Sequence, residues 1–347
     1  MAGKRSGYRV TSFEVAERAG VNQSTVSRAL SGDKSITEET REKVRRVADE
    51  LGYRVDARAA RLRSGKTRTV AIVVITRPGL GATDINPFHY ILLGSVCAAV
   101  SEKGYQSLVS FQSQPDMFYG DYVESRQADG IVMLGTSTND AAWEFHHDLL
   151  HRADTISWGS PFHDHRRIDS DNAAGARLAV ERLLAGGHRR IVFVGDVGET
   201  QRQYRERYEG YRDAMRDAGL EPRDAIFVDG KTRAEQGERA LAALIDSGVP
   251  FDGIFCSCDA MAFGVLEALR ERGIPVPAEV GVVGFDGLGG GAHSSPPLTT
   301  IEPDFRRAGI LLAEAALGER EARRNPRAPV RLVERASVRL LRKDLSD

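Results

Sequence analysis

The chain has 347 residues, 41% of them hydrophobic, and carries 48 basic against 49 acidic side chains for a formal net charge of −1. That is enough apolar material for two or three domains with sizeable cores, and it excludes long disordered stretches. No run of about 18 apolar residues suits a membrane span, and Met1 to Arg9 lacks the apolar centre of an export signal, so a soluble cytoplasmic protein is expected. Cys97, Cys256 and Cys258 are then expected to be free thiols, and Cys-Ser-Cys alone is too sparse for a zinc site.

Charge is unevenly spread. Residues 1–68 hold 16 basic and 9 acidic side chains, a net of +7, whereas the other 279 hold 32 and 40, a net of −8. A basic head on an acidic body suits a protein that neutralises phosphates at one end only. Within the head, Thr11 and Glu14 form a capping-box pattern that opens a helix, and Gly20 marks a tight turn. A second short helix follows, in which Val21, Val26 and Leu30 face inward. Its outward residues Asn22, Gln23, Ser24, Ser27 and Arg28 are offered to a groove, a helix-turn-helix arrangement. A third helix from Thr37 to Gly52 completes the head. The Ala- and Arg-rich stretch Asp56 to Gly65 has one large apolar side chain, Leu62, and reads as a linker that becomes helical only when pinned.

From Thr69 onward the pattern alternates. Strands are predicted over 70–75, 106–111, 130–134, 154–158, 190–194, 225–228, 253–256 and 280–284. Helices are predicted over 89–103, 173–185, 204–218, 233–246 and 259–272. Such alternation implies parallel sheets with helices on both faces, and the number of units implies two lobes. His147 and His151 lie four apart on a predicted helix with no third ligand in view, so no metal is expected there. His163-Asp-His165 reads as a solvated loop. No Gly-x-Ser-x-Gly or P-loop pattern occurs, and Gly289-Gly290-Gly291 reads as a flexible rim, so an enzyme is not expected.

The segments Ser12 to Leu30, Thr37-Glu-Glu-Thr-Arg-Glu-Lys-Val44, Leu51-Gly-Tyr53 and Ala59-Ala-Arg-Leu-Arg-Ser-Gly-Lys-Thr67 resemble the lactose- and galactose-repressor (LacI/GalR) family. So do Asn86-Pro-Phe88, Ala128-Asp-Gly-Ile131, Asp171-Asn-x-x-Gly-Ala176, Gly187-His-Arg-Arg-Ile191, Arg207-x-x-Gly-Tyr211, Val283-Gly-Phe-Asp286 and Pro297-Leu-Thr-Thr-Ile301. Eleven motifs in order make the resemblance specific. It implies a helix-turn-helix head at 1–56, a hinge helix and linker at 57–68, and a body at 69–347 resembling periplasmic sugar-binding proteins. One lobe would take about 69–170 plus 304–330, and the other about 171–303 plus 331–347.

The resemblance also implies roles. Gln23 and Ser24 fall where the family's recognition helix chooses bases, Arg28 where it makes a further base or phosphate contact, and Leu62 where a hinge leucine wedges into the minor groove. Thr11, Thr25, Ser27, Asn22 and Arg58 are the accompanying DNA-binding candidates. Val55-Asp56 stands where many members have Pro-Asn, which places a carboxylate near phosphates. Arg207 and Asp286 occupy effector-ligand positions, joined as candidates by Trp158, Phe88, His89, Cys258, Thr232 and Phe305. Cys258 and Thr232 depart from the family's usual residues, so no known member's effector can be copied. The reading is a homodimeric, sequence-specific regulator, a repressor by expectation, that binds a palindromic operator in double-stranded DNA. It is switched by a small polar metabolite, a sugar by expectation, with no cofactor and no membrane contact. The alternatives are an activator of the same fold and a sugar-binding receptor without gene control.

Overall fold

A computed structural model describes residues 10–53, 65–79, 85–319 and 325–340. The chain divides into two compact units, Met1–Thr67 and Arg68–Asp347. Arg58, Leu62, Val55-Asp56 and the hinge helix expected at 57–63 lie outside the described residues.

In the first unit, α1 (Ser12–Ala19), α2 (Gln23–Leu30) and α3 (Glu38–Leu51) form the predicted head. The Thr11 amide donates to the Glu14 carboxylate at 2.8 Å, which satisfies one of the unpaired donors at the start of α1. Gly20 ends α1 in the left-handed region, at φ 66°, where a side chain would be strained. Val15, Ala16, Ala19, Val26, Ala29, Val44, Val47 and Ala48 make the core, with Val21 and Leu30 packed against it. The small residues let the helices approach closely, and the polar face of α2 is left outside.

The second unit holds two main sheets. The first runs β2–β1–β3–β4, formed by Gln106–Gln112, Thr69–Ile75, Gly130–Gly135 and Thr155–Trp158, all parallel. Helices α4 (Pro87–Glu102) and α11 (Phe305–Ala316) contribute to the core on one of its faces. On the other side, Tyr122, Trp143 and Leu150 pack with Ala71, Val73 and Met133. The second sheet runs β11–β9–β8–β7–β6, formed by Val330–Val333, Thr299–Pro303, Gly281–Phe285, Gly253–Cys256 and Ile191–Val194. Its helices are α7 (Asn172–Ala185), α8 (Arg202–Asp217), α9 (Arg233–Asp246) and α10 (Asp259–Glu271). A short parallel pair, β5 (Asp169–Ser170) with β10 (Arg327–Ala328), lies at the chain crossings.

The alternation read from the sequence is present, but β9, β11 and α11 lie where the sequence reading placed no element. The strand expected at 225–228 is reduced to a single bridge between Ile226 and Val194. Strand β11 returns antiparallel to β9.

His188, in the turn before β6, fills space left by glycines. A Cβ on Gly281 would lie 2.5 Å from His188 Nε2. Burial lowers the His188 pKa below its ordinary 6.5, with Arg339 adding to the fall. Between the folded and unfolded pKa values the unfolded chain binds more protons, so stability rises with pH and is lost as the pH falls through that window. The urea midpoint should therefore fall between pH 7.5 and 5.5, and should fall less in His188→Leu. Equal falls in both proteins would show that His188 carries none of the dependence.

Candidate functional site

A cavity of about 600 Å³ opens at the carboxyl ends of the first sheet, where ligands sit in open parallel sheets. Ile75 to Arg77, Gly135 to Ser137, and Gly159 with Ser160 follow β1, β3 and β4 into its wall, and Asn86, Pro87 and His89 come from the start of α4. Facing them are Thr200 to Tyr204 at the start of α8, Lys231 to Ala234 at the start of α9, and Ala260 at the start of α10. Four helix N-termini, those of α4, α8, α9 and α10, therefore present positive dipole ends to the space. Two contacts cross it: Ser137 Oγ donates to Gln201 Oε1 at 3.0 Å, and Arg77 Nη1 donates to the Lys231 carbonyl at 3.0 Å.

Charge in this wall is one-sided. Arg77, Arg202, Lys231 and Arg233 line the cavity, and no aspartate or glutamate does so among the described residues. Arg202 is neutralised, with both Asp169 oxygens at 2.8–2.9 Å and Glu206 at 2.7 Å. Arg77, Lys231 and Arg233 have no carboxylate within 4.0 Å among the described residues. Arg233 donates to Gln236 Oε1 at 2.9 Å and lies over the Tyr204 ring, 5.2 Å from its centroid. Burial pushes the His89 imidazole down to about 4, against a smaller upward pull from the Gly135 backbone, so His89 is neutral at physiological pH.

The eight expected effector residues fall into three groups. His89 and Thr232 line the cavity, and Thr232 also caps α9, accepting from the Glu235 amide at 3.1 Å. Arg207, Asp286 and Cys258 are buried in the adjoining layer and are not in the wall. Arg207 Nη1 lies 3.5 Å from Asp286 Oδ1, and Arg207 Nε donates to Asn172 Oδ1 at 2.9 Å. The Ser257 carbonyl accepts from the same guanidinium, which sits 3.5 Å from the Phe285 ring centroid and 5.4 Å from that of Tyr204. Close helix contact places it there: a Cβ on Gly210 would meet the Ala173 carbonyl at 2.6 Å, so only glycine lets α8 lie this near α7. Burial pushes the Asp286 carboxyl up, opposed by Arg207 and reinforced by Asp259. Asp286 also holds φ 129°, a backbone region that non-glycine residues rarely adopt.

The third group is aromatic. Trp158 is buried, with its ring centroid 6.2 Å from that of Phe88, and Phe88 in turn is 5.3 Å from Phe305. Trp158 thus takes a core position and does not line the cavity. Gly289 to Ala292 forms a short 3-10 turn away from the cavity wall, rather than its rim.

Tyr204, Arg233, Gln203 and Ser160 were missed as wall residues. Tyr204 lies three residues before Arg207 on one helix face, a spacing that places it beside the motif arginine. Arg233 follows Thr232 directly.

On the first unit, Asn22, Ser24 and Arg28 are exposed, and Gln23, Thr25 and Ser27 are partly so. Gln23 Nε2 donates to Ser12 Oγ at 3.1 Å, which ties the start of α2 to α1. Phe13, 70% exposed, is a large apolar side chain on this unit that motif reading passed over.

Residues 13–56 match the model of bacterial regulatory proteins of the lacI family, and residues 180–338 match the periplasmic binding protein-like domain. The transcriptional regulator CelR of Thermobifida fusca is 32% identical over 92% of this chain and 94% of its own length. The chain belongs to the LacI family. It is a DNA-binding transcription regulator, as its relatives are. The ribose operon repressor of Escherichia coli strain K12 is 30% identical over 88% of the chain and 92% of its own length. Among solved structures, a complex of the regulator CelR with cellobiose shares 28% identity at a TM-score of 0.66, over 95% of this chain and all of that one. A Lac repressor dimer bound to operator and the anti-inducer ONPF, 24% identical, shares the fold at a TM-score of 0.73, over 96% of this chain and all of that one. Among the described residues, no helix of this LacI-family chain is long and apolar enough to cross a membrane.

Proposed function

We propose that this regulator is a homodimeric repressor whose hold on a palindromic operator is switched by a sugar-type metabolite bearing an acidic group, a uronate or a sugar phosphate. The observation that carries the reading is the cavity wall. Its hydroxyl and amide groups, from Asn86, Thr136, Ser137, Ser160, Gln201 and Gln203, suit a polyol, while Arg77, Lys231 and Arg233 bring charge that no lining carboxylate offsets. The cellobiose bound by the CelR relative supports a saccharide as the ligand class. The Arg207–Asp286 pair is proposed to act from beneath, through Tyr204, and the strained Asp286 backbone is the kind of feature that binding sites retain. Because wall residues come from both sheets, a bound ligand favours one arrangement of the two lobes over others, and operator affinity follows that arrangement.

Thermal shift of the full chain with glucuronate, glucose 6-phosphate, cellobiose and ribose tests this. A ligand at a hundredfold excess over its Kd stabilises the fold by about 2.7 kcal/mol. Acidic sugars should raise the melting temperature and change operator affinity, and Arg233→Ala should weaken their binding by tenfold or more without altering operator binding in their absence. Stabilisation by neutral sugars alone would overturn the acidic-group reading.

A further inference from the structure

The two histidines read from the sequence as lacking a third ligand have one. Asp164, from the loop expected to be merely solvated, reaches them: its Oδ2 lies 3.6 Å from His147 Nε2 and 3.5 Å from His151 Nε2. One donor atom from each of the three residues falls within 4.8 Å of the others. The local structure explains the convergence. His147 opens the single-turn helix α6 (His147–Leu150) and His151 caps its end, so the two imidazoles emerge one turn apart, with ring centroids 5.0 Å apart. Phe162 packs edge-on against His147 at 4.8 Å and fixes that ring.

A second observation points the same way. His165 is 93% buried; its Nε2 is bound to Ser157 Oγ at 3.0 Å, and its Nδ1 has no hydrogen-bond partner among the described residues. That orphaned nitrogen lies 3.6 Å from Asp164 Oδ1, the oxygen not turned to the histidines. A small approach lets it hold the carboxylate in a ligating orientation, as outer partners of metal ligands do.

We propose that His147, His151 and Asp164 form a divalent transition-metal site of the zinc class, with His165 as a positioning residue. Bonds of about 2.0–2.2 Å at tetrahedral angles separate neighbouring donors by about 3.3–3.6 Å, which two of the three edges already match. Closing the edge between the histidines takes only side-chain rotation. Two imidazoles and one carboxylate suit zinc, cobalt or nickel rather than the all-oxygen shells of calcium and magnesium. All three ligands are partly exposed, so a metal can enter and a water can complete the shell. Asp164 follows Gly159 and Ser160 of the cavity wall by four to five residues, so the bound metal fastens this segment to α6.

The test uses the tag-free full chain, stripped with a chelator, then titrated with zinc by calorimetry and with cobalt by visible absorption. One zinc per chain and the intense bands of tetrahedral cobalt are expected. His151→Gln and Asp164→Asn should each weaken zinc binding at least tenfold. His165→Asn should weaken it by about 10–100-fold with the stoichiometry kept, while His293→Ala, at an exposed histidine elsewhere, should change nothing. Circular dichroism of the stripped variants checks folding; if His151→Gln fails to fold, Asp164→Asn on the exposed loop carries the test. Absence of zinc binding, or binding unchanged in a folded Asp164→Asn protein, would overturn the site.

Discussion

Arg207→Ala is expected to lower the unfolding free energy of the second unit by about 3–5 kcal/mol near pH 9.5, where it strands a buried charge. The guanidinium lies on Phe285, donates to Asn172 and Ser257, and is the cation 3.5 Å from Asp286. Asp259, whose carboxylate accepts from the Thr300 hydroxyl at 2.5 Å and the Leu288 amide at 2.7 Å, is a second buried anion nearby. Without Arg207, Asp286 takes up a proton more readily. Its folded pKa, already raised to about 8, rises further, so the penalty is full above the variant's value and shrinks as pH falls toward 8. Urea denaturation at pH 9.5 and 7 should therefore show a smaller gap between variant and parent at the lower pH. The double variant Arg207→Leu with Asp286→Asn should recover much of the loss, since it removes both charges. A loss that is the same at both pH values would mean the Asp286 charge is not what Arg207 serves. Full stability with a lost effector response would instead make Arg207 a direct ligand contact, as the resemblance implied.

How far the sequence carried depends on the range of the interaction. Helix periodicity, caps and buried runs are local, so the head and seven of the nine strands of the two sheets were legible to within one or two residues, while β9 and β11 were not. The Arg207 and Asp286 motifs likewise marked two residues that do meet. What no motif displays is which side chain wins the cavity surface: Tyr204 and Arg233 hold the wall because α8 and α9 both begin there, and the Arg207 guanidinium finds better partners beneath them. Trp158 is a case of the same kind, since only the fold brings Phe88 against its ring and buries it. Asp164 shows the limit most clearly. The i, i+4 histidines are visible in sequence, but their third partner lies thirteen residues beyond His151, past strand β4, and only the fold returns it to them.

Gln23→Ala should cost about 1–3 kcal/mol in binding to the preferred operator and flatten sequence preference at one base position, while scarcely changing affinity for unrelated duplex. Gln23 is the first residue of α2, next to the exposed Asn22 and Ser24, and its side-chain nitrogen is held by Ser12 Oγ at 3.1 Å. That bond leaves the carboxamide oxygen and the second N–H to reach an adenine edge, with little rotamer freedom left to lose on binding. Arg28, five residues on and exposed, has a longer reach and two possible roles that separate in one measurement. If it grips a guanine edge, Arg28→Ala lowers operator affinity and leaves the nonspecific salt slope intact. If it neutralises a phosphate, affinity falls alike on every duplex and the slope of log K against log salt shrinks by about one. Anisotropy titrations on operator and scrambled duplexes at two salt concentrations decide both points. Equal loss on the two duplexes in Gln23→Ala would remove Gln23 from base recognition and leave it as the residue that pins α2 to α1.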